Sequence, residues 1–280
     1  MSDARFDEAL DAASMRSRLS PIDVARFAAL DVVDQIDSTN SELLRRQTPA
    51  QGIAALFAER QTDGRGRQGR VWASPPGSNL YMSLALRFDG ALARLGGLSL
   101  VAGIAAAEAL HARGAASVRL KWPNDLVAID GDRLRKLGGV LVEGGLQDGQ
   151  PRAVVGLGLN LRMPQGAADA IEQPWTDLHA LLGDALPPRN AVAAAVLAAL
   201  AEALDRFDAE GLAPFLPRFA ALDALRDTPL TATIGDRTHA GVADGIADDG
   251  ALRLRTDNGD MLLRAGEVSV RRRSAPMAQA

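Results

Sequence analysis

Residues 117–161 read SVRLKWPNDLVAIDGDRLRKLGGVLVEGGLQDGQPRAVVGLGLNL. Three strand-like runs lie in this stretch, Ser117 to Trp122, Leu137 to Glu143 and Ala153 to Leu161, and Asp130-Gly131-Asp132 supplies a turn joining the first two. Upstream, Ile53 to Gln61 reads as a buried strand. From Asn79 to Phe88 alternation sets Leu80, Met82, Leu84, Leu86 and Phe88 on one face, a strand with one side in the core. Helical patterns surround these strands. Pro21-Ile22-Asp23 opens a short helix-like stretch through Leu30. Thr39-Asn40-Ser41-Glu42 has capping-box spacing before Leu43-Leu44, so a helix starts at Ser38 or Thr39. Leu95 to His111 reads as a largely buried helix ending at Gly114, Asn190 to Gly211 as a long Ala-rich one and Pro214 to Leu225 as a shorter one. From Pro229 to Arg271, short alternating segments are separated by Gly235-Asp236, Asp248-Asp249-Gly250 and Asn258-Gly259, which predicts a small all-β domain with tight hairpins. The last residues, Ser274 to Ala280, are expected to be disordered.

Composition narrows the chemistry. The chain has 280 residues and 47% hydrophobic content, ample for a packed core. It carries 31 Lys+Arg against 35 Asp+Glu, a net charge of -4, which argues against a dedicated nucleic-acid binder. Only Lys121 and Lys136 are lysine. A position that keeps lysine where arginine dominates is suspected of needing an ammonium, a compact point charge. With no cysteine there is no disulfide, thiol nucleophile or cysteine-ligated metal, and His111, His179 and His239 are too far apart for a local metal-ligand pair. The longest charge-free apolar stretches, Leu95 to Ala107 and Ala191 to Ala201, fall short of the roughly 20 residues a bilayer needs. Acidic Asp3, Asp7, Glu8 and Asp11 stand where a signal peptide would be basic. A cytoplasmic protein is expected.

Three motifs carry the chemistry. Gly64-Arg65-Gly66-Arg67-Gln68-Gly69-Arg70, followed by Val71-Trp72, combines close backbone approach with planar guanidinium donors suited to carboxylate or phosphate. It matches neither the P-loop nor the dinucleotide fingerprint, and an exposed basic loop touching nucleic acid is the plainer alternative. Lys121-Trp122-Pro123-Asn124-Asp125 leaves a strand end, where its amide and carboxylate suit a nucleobase edge and a Mg²⁺-phosphate group. An ordinary strand-ending turn has the same composition. In Arg135-Lys136-Leu137-Gly138-Gly139-Val140, lysine opens a strand with two glycines, which fits either a ligand against the backbone or a bulge. Both lysines fall in or beside these motifs. Ser38-Thr39-Asn40, Gln61 and the Gly156/Gly158 pair with Asn160 are explained equally well by capping, a strand end and a turn. Arg271-Arg272-Arg273 reads as a solvated tail.

Taken in order, the segments resemble the bacterial biotin–protein ligases. Asp37-Ser38-Thr39-Asn40, Gln61, GRGRQGR with Trp72, Ser78-Asn79-Leu80-Tyr81, KWPND, KLGGVLVE at 136–143 and GLGLN at 156–160 match over residues 36–273. The resemblance implies an α+β fold: a mixed-sheet catalytic domain with packed helices, of the class II synthetase and biotin ligase kind, plus a small C-terminal SH3-like β-barrel. It divides the chain into an N-terminal segment (1–35), a catalytic domain (36–227), the β domain (228–273) and a tail (274–280). It further implies that Ser38, Thr39, Asn40 and Gln61 bind the ureido ring of biotin. Arg65-Gly66-Arg67 would form the loop closing over biotin and the phosphates, with Arg67 catalytic. Arg70, Trp72, Asn124 and Asn160 would bind the nucleotide and Asp125 would lie near Mg²⁺. Lys136 would contact first the biotin carboxylate and then the α-phosphate, with Gly138 and Gly139 along the biotin tail.

The implied substrates are biotin and ATP with Mg²⁺, and the implied partner is a biotin carboxyl carrier protein, with room for a homodimer and with neither nucleic acid nor membrane. About 37 residues precede Ser38, too few for the helix-turn-helix domain of relatives that also repress transcription, so a ligase without a repressor role is expected. Asp125 and Lys136 are a few residues further apart than in relatives. The chemistry agrees with the resemblance: a carboxylate must be activated as a mixed anhydride with AMP, and joining two anions asks for charge neutralisation and alignment more than proton transfer. Lipoate or octanoate ligation on the same architecture is the nearest alternative, and a basic-loop nucleic-acid binder or ligand-responsive regulator the non-enzymatic one.

Overall fold

The computed structural model describes residues 8–131, 133–164, 166, 171, 173–265 and 268–272, the side chains of Val268 and Ser269 excepted. The 274–280 tail, Asp132 and Arg273 lie outside the described residues. The larger sheet comprises β1 (Phe27–Ile36), β2 (Ile53–Gln61), β3 (Leu80–Arg87), β4 (Val118–Lys121), β5 (Asp125–Asp130), β6 (Arg133–Gln147) and β7 (Gln150–Leu159), in the order β1-β2-β3-β7-β6-β5-β4. β1 and β2 are parallel, and the remaining neighbours are antiparallel. The sheet is thus mixed, as expected.

The helices are α1 (Ala12–Arg16), α2 (Pro21–Ala25), α3 (Thr39–Arg45), α4 (Leu98–His111), α5 (Leu178–Leu182), α6 (Arg189–Glu210) and α7 (Leu216–Leu222). Alternation along the strands assigns the two faces of the sheet. Ile53, Ala55 and Phe57 on β2 and Leu80, Met82, Leu84 and Leu86 on β3 join α4 and α6 in the main core. Leu56, Ala85 and Val154 point the other way, under Leu43 of α3. The stretch Leu92–His111 has the length and apolarity of a membrane span. Within the fold α4 spends that apolarity on the core, where Val101, Ala102, Ile104, Ala106 and Ala107 are fully enclosed.

Three expectations about the larger sheet change. The helix at Pro21 ends at Ala25, and Phe27–Ile36 is a strand at the edge of the sheet, so the break expected at residue 35 falls inside β1. Leu10 and Met15 of the preceding segment lie in the same core. β3 is buried on both faces, because α3 and a cavity cover the side that alternation assigned to solvent. The Asp130-Gly131 turn joins β5 to β6, and β5 is a strand that the turn signals on either side of it concealed.

The smaller sheet comprises β8 (Pro229–Ile234), β9 (Arg237–Ile246), β10 (Leu252–Thr256), β11 (Gly259–Leu263) and β12 (Val268–Arg272), in the order β11-β10-β9-β8-β12. All its pairings are antiparallel, with turns at the three expected signals. Arg271 and Arg272 are therefore part of β12 and not a free tail, Arg271 pairing with Thr231. The smaller sheet is pinned to the larger one where the Trp122 indole N–H, just after β4, donates to Gly250 O at 3.0 Å. Trp122 thus faces the domain junction and also borders the cavity described next.

Candidate active site

The cavity, about 940 Å³, lies on the face of the large sheet away from α4 and α6. Strand register builds its floor. Tyr81 opposes Gly158, Gly158 opposes Gly139, Gly139 opposes Asp125, and Asp125 opposes Lys121, one row across five strands. Directly opposed residues share a face, so the row sets glycines in the middle of the floor and charged groups toward one side. A Cβ on Gly158 would sit 2.5–2.7 Å from the Trp72 indole, and one on Gly156 would sit 2.2 Å from Asn40 Oδ1. Glycine at these positions is a requirement for space.

A bulge aims the lysine. Leu126 pairs with Gly138 but Val127 with Lys136, so Leu137 is the extra residue. Without it Lys136 and Gly139, three residues apart, would point to opposite faces; the bulge turns both into the cavity. Lys136 Nζ lies 2.8 Å from Asp125 Oδ1 and 5.4 Å from the Trp72 ring centroid. Its backbone is held by residues 174–176, with its N–H donating to Pro174 O and its C=O accepting from Thr176 N–H, both at 2.9 Å.

At the opposite end, Ser38 caps α3, and the helix brings Thr39 and Asn40 under the sheet, all three buried. Thr39 N–H donates to Gln61 Oε1 at 2.8 Å, and the Ser83 hydroxyl lies 2.7 Å from Thr39 Oγ1 and 2.6 Å from Asn40 Oδ1. Asn40 Nδ2 donates to Leu141 O and to Glu143 Oε2 at 2.9 Å. Asp37 flanks this end; its hydrogen bonds to Arg45 hold its carboxyl down at about 2.

The arginine loop stands over the cavity as a small hairpin. Arg65 and Val71 bridge, Gly66 N–H donates to Arg70 O, and Trp72 N–H donates to Gly64 O. Arg65 forms an ion pair with Glu143, and Arg67 Nη1 donates to Asn124 Oδ1 at 3.2 Å. Burial pulls the Arg67 guanidinium below its ordinary pKa; Asp125 opposes the shift and Arg70 adds to it. Lys121 is pulled down in the same way, first by burial and then by Lys136, Arg271 and Arg70, against Asp125.

Of the expected site residues, Ser38, Thr39, Asn40, Gln61, Arg65, Gly66, Arg67, Arg70, Trp72, Asn124, Asp125, Lys136, Gly139 and Asn160 all line this cavity. Gly138 does not. It pairs with Leu159 on the core face, where a Cβ would come within 2.7 Å of Gly158 O, so close strand packing explains it. Asn124 has its amide committed, with Nδ2 to Val140 O and Oδ1 to Arg67. Asn160 donates Nδ2 to Thr176 O but leaves Oδ1 buried without a partner, an acceptor open to a ligand N–H. Sequence reasoning missed Ser83 and Glu143, which orient the Thr39/Asn40/Arg65 group, as well as Trp175 and Arg271, which close the far side. Ser83 and Glu143 sit in strands already recognised, and with α3 placed beneath, period-two alternation would have pointed both at it. Arg271 arrives from another domain with no local signal.

Two family descriptions match the chain: the biotin/lipoate A/B protein ligase family over residues 32–160 and the biotin protein ligase C-terminal domain over residues 229–271. The chain is 42% identical over 263 residues to a bifunctional ligase/repressor, BirA, of Salmonella typhimurium, covering 94% of this chain and 78% of that one. It is 35% identical to a biotin–[acetyl-CoA-carboxylase] ligase of Paracoccus denitrificans, covering 83% of this chain and 96% of the relative. Among solved structures it is similar to the biotin protein ligase of Aquifex aeolicus in complex with biotin and ATP, with TM-score 0.73, 28% identity, and coverage of 88% of this chain and 100% of that one. Register, cavity and similarity thus converge: the chain belongs to the biotin protein ligase family.

Proposed function

We propose that the protein activates biotin with ATP to biotinyl-5′-AMP, releasing pyrophosphate, and transfers the biotinyl group to a lysine of a biotin carboxyl carrier protein. The observation that carries this reading is the floor row. Gly139 leaves a slot for an extended acyl chain between a polar head-group end and a cationic end, with Lys136 at the junction, and Gly158 seats the Trp72 ring beside it. The Ser38/Thr39/Asn40/Gln61 group offers the donors and acceptors a ureido ring needs. The chain then runs over Gly139, and its carboxylate reaches the Lys136 ammonium. Lys136 and Arg67 neutralise the two anions that must meet, which is the main barrier to the step. Trp72 walls the base, and Asn160 Oδ1 accepts its amino group.

Asp125 is the residue that would hold Mg²⁺ beside the nucleotide phosphates. Among the described residues no group of three metal-ligating side chains converges. Asp125 offers a single carboxylate at the cationic end, which fits a hard cation that needs few protein ligands. Bound there, Mg²⁺ would supply charge neutralisation on the phosphates. The hairpin over the cavity excludes water from the mixed anhydride until the acceptor amine attacks its acyl carbon and AMP leaves.

The test offers biotin, lipoate and octanoate to the protein with MgATP and a biotin carboxyl carrier domain. Labelling of the carrier by biotin alone is expected. Labelling by lipoate alone would overturn the substrate assignment, and no biotin-dependent ATP–pyrophosphate exchange would overturn the reaction. Sedimentation with and without biotin tests the homodimer, and fractionation of cells tests the cytoplasmic location.

A further inference from the structure

Lys121 has no part in the steps above, yet its placement asks for an anion. It ends β4 opposite Asp125, so it shares the cavity face with Asp125 and Gly139 and lines the cavity. Asp125 is turned away to Lys136, at 2.8 Å, and Lys121 makes no hydrogen bond or ion pair among the described residues. Around it the charge has the wrong sign for comfort: Lys136, Arg70 and Arg271 are the other charged groups that act on it, and all three are cations. A largely buried ammonium that shares its nearby carboxylate, Asp125, with Lys136 and is crowded by three cations is costly. The cost disappears once a polyanion occupies the space between these groups.

We propose that Lys121 is a catalytic residue of the first half-reaction, binding the β- and γ-phosphates of ATP and neutralising pyrophosphate as it departs. This rests on the ligase reading above. In that step a biotin carboxylate oxygen forms a bond to the α-phosphorus, and the bond from that phosphorus to the oxygen bridging to the β-phosphate breaks. The bridging oxygen leaves with the electron pair, and no proton has to move. Negative charge therefore grows on the pyrophosphate. At a strand spacing of about 4.8 Å, Lys121 lies two strands, roughly 10 Å, beyond Gly139, on the side where the leaving group must go. Lys136 and Lys121 thus divide the work: one serves the bond that forms and the other serves the group that leaves. An ammonium suits phosphates that change position during the step, because it is a point charge on a flexible stem and not a planar fork. That accounts for lysine at both positions in a chain otherwise furnished with arginine.

The two half-reactions separate this role from a structural one. With the full-length protein, ATP–pyrophosphate exchange in the presence of biotin reads the first step. Transfer from preformed biotinyl-5′-AMP to a carrier domain reads the second. Lys121→Ala is expected to slow exchange by about 10²-fold and weaken inhibition by pyrophosphate at least about 10-fold, with transfer within about twofold of the unsubstituted protein. Lys121→Arg is expected to recover most of the pyrophosphate inhibition. Equal losses in both half-reactions, or unchanged pyrophosphate inhibition in Lys121→Ala, would overturn the assignment. Failure of the ligase reading itself shows differently, as absence of biotin-dependent exchange in the unsubstituted protein.

Discussion

Two glycine-rich stretches border the same cavity for opposite reasons. In Gly156-Leu157-Gly158 of β7, a Cβ would collide with Asn40 and with the Trp72 ring, both held in place by the fold. In the arginine hairpin, a Cβ on Gly69 would meet nothing and one on Gly66 would make ordinary contact with Arg70, while Gly69 holds φ at +70°. The floor uses glycine to make room; at its tip the hairpin uses glycine to make a turn, and only at its base, where a Cβ on Gly64 would meet Trp72 O at 2.5 Å, does it need the space. The floor is a fixed surface with its charge set by Lys136, and the hairpin is a cover whose polar contacts include Arg65 to Glu143 and Arg67 to Asn124. Floor substitutions should therefore damage the bond-forming step, and cover substitutions the keeping of the intermediate.

The most severe test strikes the charge on the floor. Lys136→Arg keeps the sign but cannot keep a compact donor between Asp125 and the Trp72 face. Adenylation is expected to fall by about 10²–10³-fold, the loss seen when a single charge-stabilising donor is removed. Near-normal exchange rates would put the charge neutralisation elsewhere, in the hairpin, and reverse the comparison. Next is Gly158→Ala. The added methyl forces the indole or the strand aside, at about 1–3 kcal/mol for overpacking, or roughly 5- to 150-fold. The loss is expected in KM for ATP more than for biotin. A normal KM for ATP would show that Trp72 does not wall the base.

These two residues also mark how far the sequence alone could be read. The motifs, the strand ends and the three hairpins of the small sheet were legible because turn residues announce themselves locally. The bulge at Leu137 was not. Period-two reading puts Lys136 and Gly139 on opposite faces, and only pairing with β5 shows the extra residue, so Gly138 and Gly139 looked equivalent although one packs the core and the other lines the floor. β1 was hidden by its composition: Phe27-Ala28-Ala29-Leu30 follows a helix without a breaker and is itself compatible with helix, and parallel pairing with β2 decides the outcome. Arg271 could not be placed from its neighbours, since an arginine run reads as solvated unless a second domain folds it back to the cavity.

The cover should respond differently. Arg67→Ala removes the guanidinium that reaches Asn124, and biotinyl-AMP is expected to escape about tenfold faster, as a charge-assisted hydrogen bond of at least about 1.5 kcal/mol is lost. The readout is release of the intermediate from preloaded protein by rapid filtration. An unchanged lifetime would mean that the hairpin is not the cover.

The smallest expected effect is the most discriminating, because it acts on the seam between floor and cover. Glu143 accepts from Asn40 below and pairs with Arg65 above, so one carboxylate joins the ureido end of the floor to the hairpin. Both side chains of the pair are partly exposed, at 37% for Arg65 and 28% for Glu143, and water screens their attraction. Glu143→Gln keeps the shape and an acceptor for Asn40 but removes the charge that holds Arg65. For an exposed pair this is worth about 0.2–1 kcal/mol, so the intermediate should leave about two- to fivefold faster, with adenylation nearly unchanged. The difference should shrink at high salt, which screens the pair in the unsubstituted protein, while the Arg67→Ala defect should persist because that contact is more deeply buried. If Glu143→Gln instead slows adenylation as much as it shortens retention, floor and cover are one rigid unit, and the two kinds of glycine serve one structure.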